Sequence, residues 1–216
     1  MAGQAVAWGD GTYYQTGQGS TTTLTVPTAV GTDTWNDISS GRYHVIAIQD
    51  DGTLWGWGNN GDGQVGDNTI VDVQVPTQIS ASTFTKVRCS DGYTSFAIKT
   101  DGTLWVWGDN GWGLCATGDY TDLLVPTQIG SATWSDIAAG DRPAIAVKTD
   151  GTLWAWGDRG DGQLGLGATL EALTPTQIGV ATDWVSVAAG YSTSFAIKSD
   201  GTLWAWGSGT SGQLGN

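Results

Sequence analysis

His44 is the only histidine in the chain, so any triad of the Ser-His-Asp kind must be built on it. No nucleophile elbow of the form G-x-S-x-G accompanies it, and His44 reads as a structural side chain whose ring nitrogen holds a neighbouring loop. Glycosidase chemistry needs two carboxyl groups at a set separation, yet Glu171 is the only Glu and most Asp residues stand in turn contexts. The tails NNGDGQ from Asn59 and DRGDGQ from Asp158 look like calcium loops, but Gly58 and Gly157 occupy the place of the first ligand. They read as turns. No Gly-Lys-Ser/Thr follows the glycines to cradle a phosphate, and no helix pattern does either. Cys89 and Cys115 lack the spacing of a metal site and read as free, partly buried thiols. The sequence therefore predicts no catalytic, cofactor-binding or metal-ligating residues, and a protein that is not an enzyme.

Bulk composition narrows the partners. Eight Lys and Arg stand against 21 Asp and Glu in 216 residues, a formal net charge of -13. A surface of that sign repels phosphate backbones and anionic bilayers, which excludes nucleic acid as a general partner. No apolar run approaches the roughly 20 residues of a membrane span, and MAGQAVAWG lacks the basic start and long apolar run of a signal peptide. The 34 Gly and 13 Trp point instead to many tight turns between short strands joined by large aromatic side chains.

Those aromatics fall on a period. Trp57, Trp107, Trp156 and Trp206 step by 50, 49 and 50 residues, and Trp8 lies a further 49 before them. Pro27, Pro76, Pro126 and Pro175 keep the same spacing, as do Trp35, Phe84, Trp134 and Trp184. Each unit reads VPTQI, an aromatic, a run such as SVAAG, then SFAIK, Asp-Gly, TLWAWG and a tail such as GDGQLG. Short runs rich in Val, Ile, Phe, Trp and Thr between Gly, Asp and Ser are strand signals. Four strands per unit and a period near 50 predict an all-β, propeller-like array of about four four-stranded blades. The units run 27–75, 76–125, 126–174 and 175–216 in one repeat domain, with 1–26 a partial blade.

If Asp101-Gly102 is a two-residue type I′ loop, counting outward sets Phe96 opposite Trp107 and Ala97 opposite Val106. One face then carries Phe96, Ile98, Trp105 and Trp107, with His44 on the matching aromatic face of its own unit. The other face is slim: Ala97 with Val106, Ala47 with Gly56, Ala146 with Ala155 and Ala196 with Ala205. Pressing the Trp face of one sheet into the slim face of the next makes Trp55, Trp57, Trp105, Trp107, Trp154, Trp156, Trp204 and Trp206 packing residues.

The pattern AAG, FAIK, DGTLWAWG and GQLG, with Gly41-Arg42-Tyr43-His44 as a Gly-x-x-His element, resembles the regulator of chromosome condensation repeat from Trp8 to Gly215. The resemblance implies one blade per repeat and a ring that usually has seven blades. Departures exist: Thr94, Pro143 and Thr193 stand at the position of His44, Asp91 replaces the repeated Gly, and the third tail reads GWGLCATG. Four units with the lone strand AVAWG leave an open arc with a Trp face at one end and a slim face at the other. Closure is then expected from a small ring completed by residues 1–26, from a second copy, or from another subunit.

The family's exchange activity on a small GTPase and its chromatin binding are not carried over, because there is no basic tail and no blade insertion. The expected function is a non-enzymatic structural or interaction module that binds a protein or glycan, in a virion or cell-surface setting such as a tail fibre, decoration protein or adhesin. An exchange-type regulator and a lectin are the alternatives. The loops that differ between copies are the place to look: Tyr13–Thr22, Asp67–Val73, Asp119–Leu123 and Ala168–Leu173. Within them or beside them, Tyr13, Tyr14, Trp112 and Tyr120 are the candidate contact residues. Trp112 stands where the other copies have Asp62, Asp161 and Ser211.

Overall fold

Apolar and small residues alternate through each FAIK-DG-TLWAWG stretch, and that period of two folds into antiparallel strands. The computed structural model describes residues 2–158, 160–167 and 172–215, and every regular element among them is a strand. The first sheet has the order β1 (Gly3–Gly9), β2 (Leu24–Ser40), β3 (His44–Gln49), β4 (Leu54–Gly58) and β5 (Val73–Ser80). A second sheet joins β6 (Phe84–Cys89), β7 (Thr94–Lys99), β8 (Thr103–Gly108), β9 (Leu123–Ala139), β10 (Pro143–Lys148), β11 (Leu153–Gly157) and β12 (Ala172–Gln177). The third is β13 (Trp184–Ala189), β14 (Thr193–Lys198) and β15 (Leu203–Gly207).

Blades are legible inside these sheets because β2 and β9, each 17 residues long, serve two of them. The start of β9 pairs with β8 and its end with β10; the start of β2 pairs with β1 and its end with β3. Each blade thus runs a–b–c–d: an inner strand such as β6, the FAIK strand β7, the TLWVWG strand β8, and the VPTQI strand at the start of β9. The VPTQI strand pairs with the Trp strand before it, so the structural blade is one strand out of phase with the sequence unit. The strand AVAWG in β1 is a c strand, and the first half of β2 is its d strand.

The hairpin register differs from the two-residue expectation. Phe96 faces Val106, Ala97 faces Trp105 and Ser95 faces Trp107. The loop has three residues, Thr100-Asp101-Gly102, with Gly102 at φ +84° donating its N–H to the Lys99 carbonyl at 2.9 Å. That is the type I turn followed by a left-handed glycine, and it shifts the pairing by one residue, which exchanges faces along one strand. The correction rearranges both surfaces. Trp105 and Trp107 share a face with Ala97 and Ser95, small residues that leave room beneath the indoles, while Phe96, Ile98, Leu104 and Val106 form an apolar face on the other side.

The repeated DGTLW string is a hydrogen-bonded unit. In the hairpin before β4, Asp51 Oδ1 accepts the Thr53 N–H (2.9 Å) and hydroxyl (2.6 Å), and Thr53 Oγ1 accepts the Trp55 indole N–H at 2.8 Å. The same three bonds recur at Asp101-Thr103-Trp105 and Asp150-Thr152-Trp154. The Thr hydroxyl and then the Thr N–H hold each of these Asp carboxyls below the usual carboxylate range.

The second Trp of each copy reaches the neighbouring blade. Trp107 packs with Ile46, Ile48 and Leu54, and Trp156 with Phe96, Ile98, Leu104 and Val106. Its indole N–H donates to a backbone carbonyl one blade back: Trp57 to Gln15 (3.1 Å), Trp107 to Gln64 (2.9 Å), Trp156 to Leu114 (2.8 Å) and Trp206 to Gln163 (2.8 Å). A second line of bonds ties the inner strands together. Asp37 accepts the Val87 N–H (3.0 Å), and Asp136 accepts the Val187 N–H (3.0 Å) and the Lys86 ammonium. Both cysteines are free, Cys115 buried and Cys89 partly so.

Candidate binding rim

Each WG step ends its strand on a glycine with φ between +98° and +106°: Gly58, Gly108, Gly157 and Gly207. The next residue then turns its N–H onto the a–b loop: Asn59 to the Tyr43 carbonyl (2.9 Å), Asp109 to Tyr93 (2.9 Å) and Asp158 to Arg142 (3.1 Å). This clamp sets a–b and c–d loops side by side on one rim, where the loops that differ between copies also lie. The part of the predicted loop 168–173 that covers 168–171 falls outside the described residues.

Two aromatic groups form there. Tyr13 lies over Tyr43 with ring centroids 4.6 Å apart, and Tyr43 stacks on Tyr93 at 6.4 Å, with the Arg42 guanidinium 5.3 Å from the Tyr43 centroid. Further along, the Arg142 guanidinium sits 4.5 Å over Trp112 and 5.7 Å from Tyr191, held by Asp158 at 3.2 Å. Trp112, Tyr120, Gly111 and Asp158 line a shallow depression beside it. The structure therefore gathers Trp112 and Tyr120 in one place and Tyr13 in another. Tyr14 stands apart: at φ +62° it fills the turn position occupied by Gly63, Gly113 and Gly162 elsewhere.

Carboxylates separate the two groups. Burial pushes the Asp62 carboxyl up, and the neighbouring Asp109 and Asp122 charges push it further; Asp109 is raised by burial against a 2.9 Å bond from the Gly111 N–H. The loops behind them are held by an amide. Asn60 donates to Asp67 Oδ1 (2.9 Å) and the carbonyls of Thr69 (3.0 Å) and Val71 (3.2 Å), and accepts the Val65 N–H at 2.9 Å. Asn110 repeats this in the next blade, bonding the Asp119 and Thr121 carbonyls. Tyr43, Tyr93, Arg42 and Arg142 were not singled out by their types. Their signal is positional: Arg42 and Tyr43 lie in the Gly-x-x-His element of one a–b loop, and Tyr93 and Arg142 in the equivalent a–b loops of the next two blades.

His44 is buried on the face of Ile46 and Ile48, opposite the Trp face, because the hairpin register is one residue off the type I′ count. Ser95 Oγ donates to the Gln64 carbonyl (2.7 Å) and so accepts from His44 Nε2 at 2.9 Å, which fixes the neutral tautomer. A Cβ on Gly41 would come within 2.7 Å of Nδ1, which explains the small residue there. Burial lowers the His44 pKa to about 3 from an ordinary value of 6.5. A depressed folded pKa means full stability above pH 6.5 and loss as pH falls below it, at about 1.4 kcal/mol per unit. Urea unfolding at pH 7.5 and 5.5 is expected to differ by about 1.3 kcal/mol from this residue, and the difference between pH values to shrink by that amount in His44→Thr, the residue present at Thr94 and Thr193. An unchanged pH dependence in the variant contradicts the assignment.

Stacked four-stranded blades, a rim of aromatic and acidic loops, and Trp residues spent on inter-blade packing define a β-propeller-type interaction domain. The RCC1-like domain family matches residues 1–216, and the chain belongs to that family. Among curated relatives it is 32% identical over 89 residues to the mitochondrial RCC1 domain-containing protein RUG3 of Arabidopsis thaliana, covering 39% of this chain and 20% of RUG3. It is 29% identical over 99 residues to human E3 ubiquitin-protein ligase HERC2, covering 43% of this chain and 2% of that protein. Human WBSCR16 superposes with a TM-score of 0.83 at 20% identity, over 94% of this chain and 56% of its own. Prp20p of Saccharomyces cerevisiae, described with its binding to Gsp1p and histones, gives 0.84 at 20% identity over 97% and 54%. The chain thus spans about half of these solved structures and a fifth or less of the two curated relatives.

Proposed function

We propose that this chain is a non-enzymatic module that grips a protein partner with the a–b and c–d rim, the seat being the depression of Trp112 and Tyr120 beside Arg142. The carrying observation is Trp112: its ring lies on the rim, 41% exposed, where the neighbouring blades place Asp62 and Asp161. Exposed Trp and Tyr flanked by an arginine and carboxylates are the composition of an interface hot spot. The carboxylates Asp62 and Asp109, both raised in pKa by burial, favour a partner surface of positive sign. Near-identical repeat units with few charges, rich in Thr and Trp and strongly acidic, support a place on a virion or cell surface.

The test uses the chain as bait in an extract of its source, with Trp112→Ala and, as a control on the opposite rim, Thr83→Ala. Retention of the same protein is expected to fall at least about tenfold for Trp112→Ala and to hold for the control; equal retention overturns the rim assignment. The ring and Asp158 also suit a sugar, and glycan binding lost with Trp112→Ala would favour the lectin reading instead. Membership of the RCC1-like family supports a second reading, exchange on a small GTPase, for which faster release of labelled GDP from a GTPase is the readout.

A further inference from the structure

Every junction between blades repeats one contact, and two partners of that contact are unused. The Trp of the c strand donates its indole N–H to the carbonyl at the Gln position of the preceding tail, in the series Trp57–Gln15, Trp107–Gln64, Trp156–Leu114 and Trp206–Gln163. The series has one more Trp and one more carbonyl. Trp8 is the repeat equivalent of Trp57, and Gln213 that of Gln163. Neither the Trp8 indole N–H nor the Gln213 carbonyl has a hydrogen-bond partner among the described residues.

The apolar surfaces around them match in the same way. Trp57, Trp107 and Trp156 are at most 1% exposed, whereas Trp8 is 63% exposed with Val6 beside it on the outward face of β1. Ala5 and Ala7, on the inward face, pack against the Trp57 cluster. At the other end, Leu203 is 64% exposed, while its equivalents Leu54, Leu104 and Leu153 are wholly buried under the next blade. Phe195, Ile197, Leu203 and Ala205 form one face of β14 and β15, and that face is the copy of the Ile145, Val147, Leu153 and Ala155 face that the last blade covers. Among the described strands, none of the first sheet pairs with or packs extensively on the third. A groove of about 330 Å³ lined by Trp8, Ile38 and Trp57 lies next to the free edge of β1, where an a strand and a b strand stand in the complete blades.

We propose that a second copy of this chain occupies these faces head to tail: the Phe195–Ile197–Leu203 face of one copy covers Val6 and Trp8 of the next, and Trp8 donates to the Gln213 carbonyl. Continuity with the internal junctions selects this occupant, because each face is the repeat equivalent of one that its counterpart already covers within the chain. The contact is heterologous, so each copy contributes two different surfaces.

The experiment measures mass against concentration by analytical ultracentrifugation for the wild-type chain, Trp8→Asp and Leu203→Asp, both substitutions at exposed positions. Wild-type chain is expected to self-associate, and each variant alone to lose association at least about tenfold in Kd. An equimolar mixture of the two variants is expected to give a one-to-one pair, since the Trp8→Asp copy keeps a good Leu203 face and the Leu203→Asp copy a good Trp8 face. A monomeric wild type overturns the proposal, as does a Leu203→Asp chain that still dimerises through its Trp8 faces. Circular dichroism confirms that each variant is folded. The rim residues Trp112 and Tyr120 are untouched, so partner retention and self-association fail or succeed separately.

Discussion

Trp156→Ala is expected to destabilise the chain by about 3–5 kcal/mol, the range for removing a fully buried large aromatic, whereas Trp8→Ala at the same repeat position changes stability by no more than about 0.5 kcal/mol. Trp156 is wholly buried between Phe96, at a 6.4 Å ring separation, and Trp134, at 6.0 Å, with Ile98, Leu104 and Val106 in the same cluster. Truncation leaves a cavity at the junction of two blades, and it strands the Leu114 carbonyl that accepted the indole at 2.8 Å. Neighbouring strands cannot close over the gap, because each blade is held at its inner edge by bonds such as those from Val187 and Lys86 to Asp136. Urea unfolding at a protein concentration low enough to keep the chain monomeric checks both values. Similar losses at the two positions would mean that Trp156 does not carry the junction.

The contrast between Trp156 and Trp8 separates what the repeat pattern alone makes legible from what the folded neighbours decide. The period of 49 or 50 residues and the apolar alternation mark the eight repeated Trp residues as packing residues; Trp57, Trp107 and Trp156 are buried, whereas Trp204 of the last copy, on the edge strand of the third sheet, is 53% exposed. The faces were not legible, because D-G suits both a two-residue loop and a three-residue loop that ends on a left-handed glycine, and the choice moves every side chain of one strand. In the three-residue loop the Thr103 hydroxyl and N–H both bond Asp101, across Gly102 at φ +84°. His44 moved with the register, from the Trp face to the face that meets Ser95. The tail Tyr13-Tyr14-Gln15 hid its kinship with Gly61-Asp62-Gly63-Gln64 because only the Gln is shared in type, yet it is the Gln15 backbone carbonyl, present in any residue, that Trp57 uses. On the rim, Trp112 was visible as an odd residue at its repeat position, while Arg142 beneath it was not, since a guanidinium site depends on which loops the clamp brings together.

That clamp makes Gly108→Ala the second large expected loss, about 3 kcal/mol or more, from left-handed strain that costs a non-glycine residue about 1–3 kcal/mol added to a collision that nothing can relieve. A Cβ at Gly108, at φ +98°, would press onto the Tyr93 carbonyl oxygen and lie 3.1 Å from the Gln64 Cα and 3.2 Å from the Thr94 Cα. All three walls are backbone, one at the start of the neighbouring strand β7 and two in loops, so no side chain can swing away. The Tyr93 carbonyl is also the acceptor of the Asp109 N–H, and moving it releases the a–b loop from the c–d loop. A control separates strain from collision: Gly130→Ala, at φ +56° with nothing within 4 Å, is expected to cost only about 1–2 kcal/mol. Chemical denaturation of both variants gives the difference, and equal losses would remove the clamp from the explanation of the repeated WG step. The Gly108 variant carries a second readout, because Tyr93 leaves its stack on Tyr43 when its carbonyl is displaced. Hydrogen exchange is therefore expected to quicken at the Asp109 amide in Gly108→Ala and to stay at the wild-type rate there in Gly130→Ala, which ties the glycine of the packing motif to the order of the binding rim.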